Sequence, residues 1–218
     1  MTSLSAVCLW LDAHGSSCLE AAGFLTGVVN VWLVTRQNIW SWPIGVANAL
    51  FYMVVFARTG LYSDTGLQVV YFVLSLYGWW HWWRGGPQHD TLPVTRTSRG
   101  LAALLTAIGI ATWLLLWTIT ARIPGAALAH IDSALVAASL IAQWMMTRKL
   151  AENWLVWIIV DMIYVGVFLN RHLPLTAVLY GVFFILAIMG HVSWRRSWRE
   201  AQSHARMPRS TQPPDTPA

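Results

Sequence analysis

Residues 32–56 read WLVTRQNIWSWPIGVANALFYMVVF, and residues 144–168 read WMMTRKLAENWLVWIIVDMIYVGVF. Laid over one another at an offset of 112, the two stretches match without a gap. Trp32 falls on Trp144, Thr35 on Thr147, Arg36 on Arg148, Trp42 on Trp154, Tyr52 on Tyr164 and Phe56 on Phe168. The same register carries outward to Gly78 and Gly190, Trp82 and Trp194, and Arg84 and Arg196. Coincidences of Leu or Val are expected in apolar sequence, whereas three Trp pairs in one register are not. The chain reads as an internal duplication.

Around these stretches the composition is that of a membrane protein. Of 218 residues 56% are hydrophobic and only 11% charged, against about 25% charged in an ordinary soluble domain. Too little polar material exists to clothe a soluble surface. Apolar runs at 19–35, 38–57, 64–83, 100–121, 127–147, 152–170 and 173–194 each approach the ~20 residues that a helix needs to cross ~30 Å of hydrocarbon. The expected fold is therefore all-α, with seven transmembrane helices. Two parallel three-helix repeats, 19–83 and 127–194, are joined by a linking helix at 100–121, a 3+1+3 plan. Residues 1–18 form an N-terminal segment and 84–99, rich in Gly, Pro and polar residues, a linker. Residues 195–218 read as a basic, disordered tail. The first 17 residues lack a basic stretch, so a cleaved signal peptide is not expected. Cys8 and Cys18 support no disulfide framework.

Seven spans alternate the loops. Arg58, Arg122 and Arg171 fall on the N-terminal side, and the eleven other Lys and Arg residues fall on the opposite side. The positive-inside rule puts the N-terminus outside and the C-terminus in the cytoplasm. The net charge of +5 is thereby explained by topology, so no nucleic-acid partner is expected. The partner expected in its place is the lipid bilayer.

Candidate functional residues lie on helix faces. Trp154, Trp157, Asp161, Tyr164 and Phe168 recur every three or four residues, on one face of a helix. A carboxylate at mid-membrane costs about 2.5–3.5 kcal/mol on insertion scales, so Asp161 faces protein or a water-filled space. Such a stripe would sandwich a flat ligand, with Asp161 meeting a hydroxyl or a positive ring; helix packing is the plainer alternative. Trp42, Asn48, Tyr52 and Phe56 make a similar face. On the third span Gln68, Tyr71, Ser75 and Gly78 share a stripe, and Gln68 donates and accepts at once. Trp79, Trp80, Trp82 and Trp83 read mostly as interface anchors. Glu20 and Asp132 are register equivalents near helix starts, where the dipole favours a carboxylate. His81 and His191 have no metal-ligand spacing. Neither a phosphate-binding loop nor a nucleophile–base pair is evident, so no enzyme activity, catalytic residue, metal or cofactor is expected.

Three motifs carry a resemblance: WPIGVANALFY at 42–52, GLYSDTGLQVVYFVLSLYGWW at 60–80 and MTRKLAENWLVWIIVDMIY at 146–164. They resemble the PnuC family of vitamin transporters, over nearly the whole stretch from Glu20 to Trp194. The resemblance implies facilitated diffusion of a dephosphorylated vitamin, nicotinamide riboside for the family's namesakes. Thiamine, riboflavin or another nucleoside is the alternative, since a carboxylate at Asp161 suits a pyridinium or a thiazolium equally. It implies net uptake driven by a cytoplasmic kinase, a homotrimer, and a site drawn from Asn48, Gln68, Asn153, Trp154, Trp157 and Asp161. Trp42, Tyr71 and Tyr164 join that set from the helix faces.

Overall fold

The computed structural model describes residues 18–58, 62–85, 92–122, 129–170 and 174–206. Within them run α1 Cys18–Thr35, α2 Ser41–Arg58, α3 Tyr62–Arg84, α4 Arg99–Thr120, α5 Ala129–Thr147, α6 Asn153–Asn170 and α7 Pro174–Arg206. Cys8, the side chains of Cys18 and Glu20, Arg171, Arg209 and residues 207–218 lie outside the described residues.

α1 packs on α2, α2 on α3, α3 on α5, α5 on α6, α6 on α7, and α7 back on α1. Six helices thus close a ring. α4 stands outside it against α5, where Leu105 packs with Met145 and Leu150. Ser98 caps its start, the hydroxyl accepting from Leu101 N and satisfying one of the donors a helix leaves open there. Most of α4 is exposed, including Leu104, Ile108, Leu115 and Ile119. Large apolar side chains also face outward on the ring, among them Leu25, Val73, Ile159, Ile185 and Val192. Contiguous apolar surface on this scale is incompatible with water and natural in lipid. Arg99–Thr120, Asn153–Asn170 and the Thr176–Ser203 part of α7 are long and apolar enough to cross a membrane by length and composition alone, and Ala22–Thr35 is a shorter apolar helix. α2, α3 and α5 are less apolar because they carry Asn48, Gln68, Tyr71 and Ser139 in or beside the ring.

One end of the ring is basic and rich in Trp. There the α1–α2 and α5–α6 turns meet the ends of α3 and α7. Each turn passes through a left-handed residue, Gln37 (φ 55°) and Lys149 (φ 50°), positions 112 apart. A non-glycine residue in that region costs about 1–2 kcal/mol, so the surroundings must hold both turns. Trp82 donates its indole N–H to Met146 O (3.3 Å), and Trp194 donates to Val34 O (3.0 Å). Trp42 meets Trp82 edge-on at 5.2 Å, and Trp154 meets Trp194 edge-on at 5.5 Å. Gly78 makes room for the Trp42 ring and Gly190 for the Trp154 ring. Arg36 lies over Trp32 as Arg148 lies over Trp144. Every one of these contacts recurs at the 112-residue offset, and the hydrogen bonds cross between the two sets of helices.

Two expectations need correction here. Trp82 is no interface anchor: it is buried in this cluster, while Trp79, Trp80 and Trp83 are exposed. The last helix does not end at 194 but runs to Arg206. Arg196 bonds Glu200 one turn on (2.8 Å), and Trp198 packs on the core, which carries the helix past the last apolar turn.

Part of the 84–99 linker is fastened down. Thr95 pairs with the α5–α6 turn, its N–H donating to Lys149 O and its carbonyl accepting from Ala151 N, each at 3.0 Å. Glu152 accepts from Thr97 N (2.8 Å), Thr97 Oγ1 (2.9 Å) and Arg96 Nε (2.9 Å). Burial works to raise the Glu152 carboxyl, but these hydrogen bonds outweigh it and hold the group below its usual range. Lys149 itself is buried. Its ammonium sits 4.3 Å from the Trp82 ring centre and 3.5 Å from Gln37 Oε1, and burial pushes it down to about 8.

Candidate functional site

Along α6 the predicted stripe divides between two levels. Trp154 is 1% exposed and wedged between Gly190 and Trp194, and Asn153 is fully enclosed, its Nδ2 donating to Leu150 O at 2.6 Å. Trp42 plays the matching part on α2, 2% exposed against Gly78 and Trp82. These three belong to the packed Trp end. Several of their polar atoms lack a partner among the described residues: the Trp42 and Trp154 indole N–H groups, Asn153 Oδ1, and Ser41 Oγ at the register position of Asn153. Trp157 bridges the levels. It is half-buried, packs on the Trp cluster and keeps a shielded indole N–H without a partner among the described residues.

Asp161 lies seven residues beyond Trp154, about 10 Å along the axis at 1.5 Å per residue. It is 4% exposed, and among the described residues it has neither an ion-pair nor a hydrogen-bond partner and no Lys or Arg beside it. Tyr71 of α3 and Tyr180 of α7 stand near it. The Tyr71 hydroxyl lies close to Ser139 of α5. One turn further, Tyr164 stacks on Phe168 (5.7 Å) and meets Tyr180 at 4.6 Å, and Tyr180 meets Phe183 edge-on at 5.9 Å. Phe183 reaches the α1 backbone at Gly27, where Asn48 also lies. Asn48 donates to Gly23 O (2.6 Å) and Thr26 Oγ1 (3.1 Å). The ring interior thus brings Asn48, Tyr71, Asp161 and Tyr164 into one wall system. Gln68 is half-buried on α3, one turn from Tyr71.

Sequence reasoning missed Ser139, Tyr180, Phe183 and Thr26. The repeat register held the signal for three of them. Tyr180 is the register equivalent of Gln68, Phe183 of Tyr71, and Ser139 of Gly27. The equivalents that pack the Trp end are identical in the two halves. Inside the ring Tyr164 matches Tyr52, but four other pairs differ: Tyr71 against Phe183, Ser139 against Gly27, Asp161 against Ala49, Asn48 against Val160. Packing is duplicated, and the interior polarity is not.

A carboxylate walled by aromatic rings and without a protein cation attracts a flat cation. The ring faces add cation–π attraction, and Asn48, Gln68 and the Trp157 N–H supply hydrogen-bonding groups for a polar substituent.

The chain matches the family model described as nicotinamide mononucleotide transporter over residues 17–196. It is 27% identical over 214 residues to the nicotinamide riboside transporter PnuC of Escherichia coli (strain K12), covering 87% of this chain and 90% of that one. It is 23% identical over 189 residues to the riboflavin/roseoflavin transporter RibM of Streptomyces davaonensis, covering 84% and 87%. A crystal structure of the vitamin B3 transporter PnuC shares the fold, with a TM-score of 0.70 at 20% identity over 90% of this chain and 88% of that one.

Proposed function

Since the chain belongs to the nicotinamide mononucleotide transporter family, and is thereby a membrane-embedded small-molecule transporter, we propose that its cargo is nicotinamide riboside. The single observation that carries this reading is Asp161, a buried carboxylate without a cation partner among the described residues, beside Tyr71 in an aromatic interior. Nicotinamide riboside is a flat pyridinium with a carboxamide and a ribose. Its charge complements Asp161, its ring suits Tyr71, Tyr164 and Trp157, and its polar edges suit Asn48 and Gln68. Trp42, Trp154 and Asn153 act in this reading as the rigid floor beneath the site.

The mononucleotide fits poorly. Its phosphate would bring about two negative charges to a carboxylate, and the described Lys and Arg residues all lie at helix ends, turns or the extension of α7. The riboside then crosses by facilitated diffusion, and a cytoplasmic kinase retains it by phosphorylation.

The ring reads as two parallel three-helix units, α1–α3 and α5–α7, with α4 as the link. The reciprocal Trp82 and Trp194 bonds and the paired left-handed turns support this. Alternating access follows as a rocking of the units about the interior. The basic end faces the cytoplasm and the N-terminus lies outside, in an inner membrane, as the charge bias favours. A homotrimer completes the reading.

The relative named for riboflavin supports a second cargo on the same fold. Binding titrations with Asp161→Asn separate the two. For nicotinamide riboside we expect a loss of affinity of about tenfold or more, a charge-assisted contact being worth roughly 1.5–3 kcal/mol. Undiminished riboside affinity, or tight riboflavin binding indifferent to the substitution, rejects the first cargo.

A further inference from the structure

At the basic end, outside the ring, a cavity of about 130 Å³ opens between the docked linker, the start of α6 and α7. Arg96, Glu152, Leu155, His191, Arg195 and Trp198 line it. A shallower groove continues from it along α7, past His191, Val192, Arg195 and Arg199. Arg96 is spoken for, bonded to Glu152 and laid over the Trp198 ring at 5.2 Å. Arg196 is paired with Glu200. Arg195 and Arg199 are exposed and have no acidic partner among the described residues. The His191 Nδ1 atom is shielded and also lacks a partner among them. The cavity therefore carries a surplus of positive charge and donors.

Its outer wall has the opposite character. On α7, Ile188, Val192, Arg195 and Arg199 follow one another at spacings of four, three and four, forming one stripe down the helix. On α6, Leu155 and Ile159 form the facing stripe. Leu155, Ile159, Ile188 and Val192 are all exposed. Moving along this groove toward the end of α7, the surface changes from apolar to cationic within about two turns. A glycerophospholipid changes in the same order, from acyl chain to phosphodiester. A free phosphate would need only the cationic part, and would leave the apolar stripes unexplained.

We propose that the groove between α6 and α7 binds an anionic phospholipid. Its phosphodiester sits between Arg195, Arg199 and the edge of Arg96, and an acyl chain lies along Leu155, Ile159, Ile188 and Val192. Trp198 closes the headgroup side, where an amphipathic ring belongs. The docked linker and the α5–α6 turn form the floor, so a bound headgroup ties α7 to the segment that holds Lys149. This assignment is independent of which vitamin the ring carries.

The test is lipid retention by the full chain in detergent, read by native mass spectrometry against phosphatidylglycerol, phosphatidylcholine or inorganic phosphate alone. Phosphatidylglycerol should bind in preference to phosphatidylcholine. The double substitution Arg195→Gln, Arg199→Gln should weaken it about thirtyfold, from roughly 1 kcal/mol for each basic residue at an anionic lipid surface. Arg195→Lys with Arg199→Lys should restore most of the binding, and Arg58→Gln, at the other end of the chain's charge bias, should leave it unchanged. Equal retention of both lipids, or full retention by the double Gln variant, overturns the proposal. Inorganic phosphate competing at millimolar concentration would assign the cavity to a free anion and overturn it equally. Thermal unfolding of each variant in phosphatidylcholine shows whether a loss of binding is merely a loss of fold; loss with an unchanged melting temperature supports the site.

Discussion

Replacing Gly190 by alanine would place a methyl carbon 2.5 Å from Cε2 and Cζ2 of Trp154. An ordinary contact needs about 3.5 Å or more, so the ring must retreat by roughly 1 Å. It has nowhere to go: Trp154 is 1% exposed and held edge-on by Trp194, itself buried and bonded to Val34 O. Overpacking of this kind costs about 1–3 kcal/mol, and it more than offsets the ~1 kcal/mol that alanine gains over glycine inside a helix. Gly78→Ala meets the same obstacle against Cη2 of Trp42. Gly181 and Gly166 have nothing within 4 Å of an added Cβ, so Gly181→Ala and Gly166→Ala keep the helix gain. The helix gain is common to both pairs, so the contrast is the overpacking cost alone, about 2 kcal/mol at the middle of that range, roughly 4–8 °C in Tm for a chain of this size. Thermal unfolding of the four variants in one detergent measures it. Melting temperatures for Gly190→Ala and Gly78→Ala equal to those of the control pair would refute the packing argument. A loss at only one of the two would refute the equivalence of the two halves.

Trp82→Phe and Trp194→Phe each remove an indole donor from a buried carbonyl, Met146 O or Val34 O, which keeps only its turn hydrogen bond from Lys149 N or Gln37 N. Both should destabilise by about 0.5–1.5 kcal/mol for the lost bond, and denaturation midpoints that fall in only one variant would contradict the reciprocal arrangement. Lys149 is the chain's single lysine, with its ammonium pushed down to about 8 by burial. Between about pH 8 and the unfolded value near 10.5 the unfolded chain holds the proton that the folded chain has released. Stability from this group therefore rises with pH across that window and is lost as pH falls through 8. Lys149→Gln, which copies the residue at register position 37, should abolish that rise in a pH series of melting temperatures; an unchanged series would show that Lys149 is not enclosed.

The sequence made the helices legible because their boundaries are written in turn chemistry and apolar length: the expected runs 38–57 and 152–170 end within three residues of α2 and α6. It misjudged the end of α7, since the Arg196–Glu200 pair and the packing of Trp198 are tertiary facts that a polar composition conceals. Helical spacing put Trp154, Trp157, Asp161 and Tyr164 on one face, which they share. Spacing cannot tell at which depth a neighbouring helix crosses, and Gly190 and Gly78 draw Trp154 and Trp42 into packing while Asp161 stays in the ring interior. The aromatic partners on α7, Tyr180 and Phe183, were hidden for the same reason. Their polarity resembles any apolar span until they are aligned with Gln68 and Tyr71.

The central claim is that the ring interior admits a cationic nucleoside and rejects its phosphate. Liposomes holding the purified chain, loaded with labelled substrate outside, test it directly. Nicotinamide riboside should equilibrate across the membrane and accumulate only when a riboside kinase and ATP are sealed inside, while nicotinamide mononucleotide stays out. Entry of the mononucleotide at a rate comparable to the riboside, or riboside entry no faster than in protein-free liposomes, would contradict the account.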